Sequence, residues 1–559
     1  MSYLSVPRLV FAGQFQADPS TVNNDPEHFD TSAFKSSYQQ PGQNNGWWNP
    51  AGTGAWGLTN CTVQRVVYRD GTTTNNAQAD PIIGAAINGQ PGIVGRLVDL
   101  DPEQQMVSQI WGLKVTLGQP GGSVGFSSDF QVAAFADLWA RFPAGNPDSF
   151  FGAFYQSVLE AIQWAGAGGS RFLQELSQDG VPQRLSIRFN VDGYNDDSTS
   201  PSFTEGRVVG AIGLYLPGEP SHFVAGRALQ TASDSSPLNA AYAQVDGNVL
   251  AVDLGNSLPT QSPGGPLANS GSLSVALLPP NGAPVVVGPI DYLSPAWYEE
   301  TAGIVSFPLS QDLLSQAKVT PVGVVRSSAG GVQPLLSEAP DGDWVRADDF
   351  VFRLDPGDTA TTTFHVTTFG QASPNRQISL GYDASMMAGQ TNQGPIPGPS
   401  VVGQPQAALT FPTSITTGSD GTITLSLLSA DPGSPRSYID GQVYGVSYAL
   451  GNSPPPVGSV SNPSQMLSVL VWSGYTAPAQ PTWVDDVEPV FQQYANLYPV
   501  MRPIVDLSNF DNVVARRELI SNVMKLPVTN PIYMPVTRDL SRAKREMILK
   551  WLAHPIKTR

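Results

Sequence analysis

Four histidines, His28, His222, His365 and His554, and one cysteine, Cys61, limit the chemistry that this chain can perform. No histidine stands in His-x-x-x-His or His-x-Glu spacing, so a helical zinc motif is missing. A single cysteine excludes an intrachain disulfide and a thiolate-rich metal site. Its place in the alternating run CTVQRVVY (61–68) reads as core. No P-loop occurs, and the Gly-rich segments are not placed between a strand and a helix as dinucleotide binding requires.

Three local clusters remain as candidates. DPSTVNNDPEH (18–28) beside Trp47-Trp48 gathers carboxylates, amides, an imidazole and two indoles. It reads either as a polar-aromatic ligand pocket or as a loop held by Asx turns over a packed Trp pair. DGYNDD (192–197) is rich in oxygen ligands but lacks the closing glutamate of a calcium loop, which favours an acidic turn. YMPVTRDLS (533–541) sets a turn and a cap before a last helix. Arg538 there pairs with a carboxylate of the fold or reaches a ligand.

At 559 residues the chain exceeds a single core and calls for two to four domains. Its net charge of −17 gives no footprint for a nucleic-acid backbone and disfavours an anionic membrane surface. Seven basic residues between Arg538 and Arg559 form either a solvated helix face or a docking face for an acidic partner. Met1–Pro7 lacks a signal-peptide pattern and no run of 18 apolar residues occurs, so the expected address is the cytoplasm.

The elements that position these residues are mostly strands. With 55 glycines, 50 prolines and 13% charged residues, the composition fits short strands separated by turns. The expected fold is mainly β with helical additions. An antiparallel sandwich or barrel covers 1–388, a linker 389–405, an Ig-like β-sandwich 406–480 and a helical segment 481–559. A helical insertion is expected near 102–178, because Asp101-Pro102 looks like a helix start and Phe151, Phe154, Val158 and Ile162 recur at three- and four-residue steps. Val484, Val487, Phe491, Tyr494, Tyr498 and Met501 form an apolar stripe near the C-terminus that this chain or a partner must cover.

Several segments, in order, carry a resemblance. They are PRLVFAGQFQADPSTVNND (7–25), VDLDPEQQMVSQIWG (98–112), GRVVGAIGLYLPGEPSHFVAGRAL (206–229), DDVEPVFQQYANLYPVM (485–501) and YMPVTRDLSRAKREMILKWLAH (533–554). Together they resemble the N-terminal part of the imine-dimer synthases, the iminophenylpyruvate dimer synthase of violacein biosynthesis and the chromopyrrolate synthases. That resemblance implies coupling of two imines derived from an oxidised aromatic amino acid. It also implies a ferritin-like second half with haem or iron in some members, and this chain ends about where that half begins. Its four histidines do not supply the paired Glu-x-x-His motifs of such a bundle.

Three functions follow as expectations. The first is a scaffold or substrate-handling subunit that holds an indole-type small molecule and acts with a separate ferritin-like or oxidase partner. No cofactor is expected in the chain itself, with haem or iron entering only through that partner. The second is a metal-free enzyme coupling aromatic imines, with His28, Asp25, Asp99 and Asp101 moving protons while Asn23, Asn24, Trp47, Trp48, Tyr533 and Arg538 bind substrate. The third is a non-enzymatic binding or interaction protein.

Overall fold

A computed structural model describes residues 2–18, 26–39, 54–89, 94–104, 106–118, 124–142, 150–177, 184–197, 199–387 and 402–558. The fold is mainly β, with a barrel, a curled sheet, a sandwich and a small helical C-terminal segment.

Arg8–Asp18 pairs with Glu205–Leu214 on one side and Ala55–Val67 on the other, which closes an antiparallel barrel. Leu185–Asp192, Phe151–Gly166, Gly125–Phe130, Lys114–Leu117 and Ala86–Ile87 complete the circuit. Strand alternation lets one strand serve two cores: Leu9 and Phe11 point into the barrel, while Val10 and Ala12 point out into the next layer. The barrel interior is filled by rings, Trp56 lying 5.5 Å from Phe189 and 6.1 Å from Phe15.

That next layer is an eight-stranded sheet that curls around its own core, from Val285–Ile290 to Ile304–Pro308 at its two edges. The sandwich follows. One sheet holds Asp343–Ala347, Thr359–Thr368, Thr422–Ser429 and Leu409–Thr410. The other holds Val351–Leu354, Met466–Val471, Gln442–Leu450, Gln377–Tyr382 and Ser414–Thr416, with Val351–Leu354 running parallel to Met466–Val471. Both sheets therefore mix strands from before and after the 389–405 segment, and the Ig-like unit draws on 343–382 as well as on 406–480. A three-stranded sheet, Arg96–Asp99, Ser108–Trp111 and Ala133–Ala134, joins barrel to sandwich. Ile110 faces the barrel core, and Leu100 and Val107 face the sandwich core.

The expected helical insertion is corrected. Phe151–Gly166 is a sixteen-residue strand, and the α-helix found in the described part of 102–178 is the short Arg171–Leu176, capped by Ser170. Burial on both faces hides the period of two: Tyr155 and Leu159 enter the barrel core, whereas Phe154 packs outward on Ala228 and Tyr242. The Asp101-Pro102 signal also misleads. Asp101 accepts from the Glu103 amide at 2.9 Å to make a turn, and Ser108–Trp111 is a strand.

The C-terminal stripe is covered by the chain itself. Trp483, Val487, Phe491, Tyr494 and Tyr498 are buried with Phe29 against Met547, Ile548, Trp551 and Leu552 of the last helix, Arg542–Ala553. Val484 is exposed at the stripe's start and Met501 is half-buried at its end. Basic residues of the last helix also turn inward: Lys544 reaches Asp440 at 2.8 Å, and Arg542 pairs with Asp355 and Asp358 of the sandwich.

Candidate functional site

Where the three-stranded sheet, the sandwich and the C-terminal segment meet, they line an open cavity of about 440 Å³. Ser108–Trp111 brings Trp111 and Gln109, Val351–Leu354 brings Phe352 and Arg353, and the sandwich strand Met466–Val471 delivers Trp472 just past its end. The loop before the last helix brings Tyr533 and Arg538, and the helix brings Arg542 and Arg545.

Two guanidinium groups lie close to one indole. The Arg353 carbon lies 5.4 Å and the Arg538 carbon 5.6 Å from the Trp111 ring centroid, within cation–π range. Arg353 donates to the Asp99 carbonyl at 2.8 Å and to Gln109 Oε1, and its Nε has no hydrogen-bond partner. Arg538, fully buried, donates to the carbonyls of Val528, Asn530 and Val536 at 3.2, 2.9 and 2.5 Å. Its own backbone sits in the left-handed region at φ 50°, a conformation that an arginine adopts at some cost. The expected carboxylate partner of Arg538 is thus replaced by three carbonyl oxygens.

Burial and like charge act together here. Burial, reinforced by the Arg538 charge, lowers Arg353 to about 10. Burial, reinforced by Arg96, lowers Arg538 to about 10 as well. Both stay cationic at neutral pH without an ion-paired carboxylate among the described residues. In a chain of net charge −17 this is a local concentration of positive charge against aromatic walls. Such a wall fits the anionic end and flat ring of an aromatic acid.

The other nominated residues spread out. Asp99 stands behind Arg353; burial pushes it up to about 6, opposed by the Ser108 hydroxyl and by Arg353. Asp101 is locked in a bidentate pair with Arg436, at 2.6 and 2.8 Å, on a separate crevice of about 50 Å³. His28 is buried on the short turn Pro26–Phe29, its ring 4.3 Å from Tyr38. Asn23, Asn24, Asp25, Trp47 and Trp48 lie outside the described residues. Asp192 of the acidic cluster is held by Arg141 and Arg207, each at 2.6 Å.

Sequence reasoning missed Arg353 and Trp111 as site residues. The available signal was an arginine within the otherwise apolar strand VFRL. It also passed over one Glu-x-x-His spacing, Glu219 to His222, which lies on a turn. There Glu219 accepts from the Leu216 amide at 2.8 Å, and His222 stands between Asp348 and Asp349. Among the described residues no three His, Cys, Asp or Glu side chains converge on a metal position. Burial pushes the Cys61 thiol up to about 12, which removes it as a nucleophile. A second cavity of about 430 Å³, lined by Phe223, His365 and Asp420, lacks the arginine cluster.

No family model and no curated protein matches the chain. Among solved structures it is similar to the D00-D0 domain of intimin, at 14% identity over 37% of this chain and 89% of that one, with a TM-score of 0.15. The S-layer protein SbsC follows at 11% identity, 74% of this chain, 53% of that one and a TM-score of 0.16. Salmonella alpha-2-macroglobulin reacted with methylamine gives 10%, 85%, 29% and 0.13. The chain spans about half of that S-layer protein and under a third of the macroglobulin. Scores this low carry no argument, and the class rests on the sheets themselves: a multi-domain, mainly β protein with an Ig-like sandwich. No described helix is long and apolar enough to cross a membrane.

Proposed function

We propose that this chain is a substrate-handling subunit that holds an aromatic, carboxylate-bearing molecule of the kind formed when an aromatic amino acid is oxidised. The observation that supports it is the placing of both Arg353 and Arg538 within about 6 Å of the Trp111 ring centroid, in a cavity large enough for a ring. Trp111, Phe352, Trp472 and Tyr533 supply apolar surface for the ring, and the guanidinium groups supply donors for the acid. In this reading the protein acts in the cytoplasm within specialised metabolism, and a separate ferritin-like or oxidase protein carries any redox step. The resemblance to the β-rich half of the imine-dimer synthases points the same way.

Asp99 favours a second reading, an enzyme that couples aromatic imines without a metal. A carboxyl group raised to about 6 can exchange a proton near neutral pH, and its carbonyl already holds Arg353. Calorimetric titration with indole-3-pyruvate tests the binding reading: saturable binding is expected, and weaker binding in Arg353→Gln. Absence of binding at millimolar ligand removes it. Turnover of an aromatic imine by the purified chain, lost in Asp99→Asn, would favour the enzyme.

A further inference from the structure

We infer that the natural ligand of the arginine-lined cavity carries two negative charges close together, as a phosphate monoester or a pair of neighbouring carboxylates, attached to an aromatic group. The inference rests on reading that cavity as the binding site.

The charge count carries it. Four arginines, Arg353, Arg538, Arg542 and Arg545, and two aspartates, Asp355 and Asp358, line the cavity. Both aspartates are committed to Arg542: its guanidinium reaches Asp358 at 2.5 Å and Asp355 at 3.4 Å, and its backbone amide bonds Asp355 at 3.0 Å. The other three arginines are not ion-paired among the described residues; Asp99 and Asp539, whose charges also act on Arg353, lie outside the cavity lining and burial pushes both carboxyls up. Arg545 lies against the Tyr533 hydroxyl. A monocarboxylate offsets one of these charges and leaves the other beside the same Trp111 ring. A dianion offsets both.

The free donors agree. A guanidinium has five N–H groups. Arg353 uses two in the hydrogen bonds found and Arg538 three, which leaves N–H groups on both side chains that no protein acceptor takes up. Bidentate arginine contacts suit phosphate and carboxylate alike. The aromatic wall and the volume of about 440 Å³ leave space for a ring beside the anion.

The test is calorimetric titration of the full chain at pH 8 and fixed ionic strength with phenyl phosphate, phenylmalonate and phenylacetate. At least one dianion is expected to bind tenfold or more tightly than phenylacetate, and the tighter of the two identifies phosphate or dicarboxylate as the source. Arg353→Gln should reduce that preference to about twofold. Arg545→Gln, at a half-buried helix position, should weaken it too and serves if the first variant does not fold. Phenylacetate binding as tightly as both dianions would overturn the inference while leaving the site intact. No binding of any of the three would remove the site itself.

Discussion

Arg353 and Arg538 converge on the same face-bearing neighbour, Trp111, although one rides on a sandwich strand and the other on the loop before the last helix. The cavity therefore exists only when sandwich, linking sheet and C-terminal segment are assembled. Trp111→Ala should weaken binding of an indole acid up to about tenfold, since an aromatic pair contributes about 0.5–1.5 kcal/mol beyond area burial. Trp111→Phe should recover part of the loss. Equal affinity in all three forms, measured by calorimetry, would mean that the indole does not touch the ligand.

Asp101 and Arg436 form a buried bidentate pair between the linking segment and the sandwich. Arg436→Met leaves a buried carboxylate uncompensated and should cost about 3–5 kcal/mol in urea unfolding. Adding Asp101→Leu to that variant should restore most of the loss. A double variant no more stable than Arg436→Met would show that the unpaired carboxylate is not the source of the loss.

His222 supplies a pH dependence. Burial opposes its charge, but the hydrogen bond and charge of Asp348, with Asp349 behind, outweigh burial and raise it to about 9. The folded value lies above the unfolded one, near 6.5, so this stabilisation is complete below 6.5 and is lost as pH rises through about 9. It amounts to at most roughly 3 kcal/mol. Thermal unfolding of the wild type against His222→Gln between pH 6 and 10 should show a difference that shrinks with rising pH. A constant difference would rule the pair out as the cause.

Trp551 closes the C-terminal core, 5.5 Å from Trp483, with its indole nitrogen donating to the Ile556 carbonyl at 2.9 Å. Trp551→Ala should cost about 3–5 kcal/mol and expose the Phe491 and Tyr494 surface to a hydrophobic dye. An unchanged melting temperature and no dye binding would show that something other than the last helix covers the stripe.

Strand content and the terminal helices were legible because each has a simple period. The stripe from Val487 to Tyr498 and the Ser541 cap are local signals, and the helices Glu488–Leu497 and Arg542–Ala553 follow them. Phe151–Gly166 was misread because burial on both faces replaces alternation with a continuous apolar run that mimics a helix. The extent of the sandwich was not legible either. Thr359–Thr368 pairs with Thr422–Ser429 across the Gly- and Pro-rich segment that looked like a boundary. At the cavity, Tyr533 and Arg538 could be nominated from their own loop. Arg353 could not, because its importance comes from what long-range pairing places beside it.

Hydrogen–deuterium exchange with and without indole-3-pyruvate tests the binding claim most directly. Protection should appear together at Ser108–Trp111, Val351–Leu354 and the 528–545 segment, the three places that build the arginine-lined wall. Protection confined to other segments, or none at saturating ligand, would contradict it.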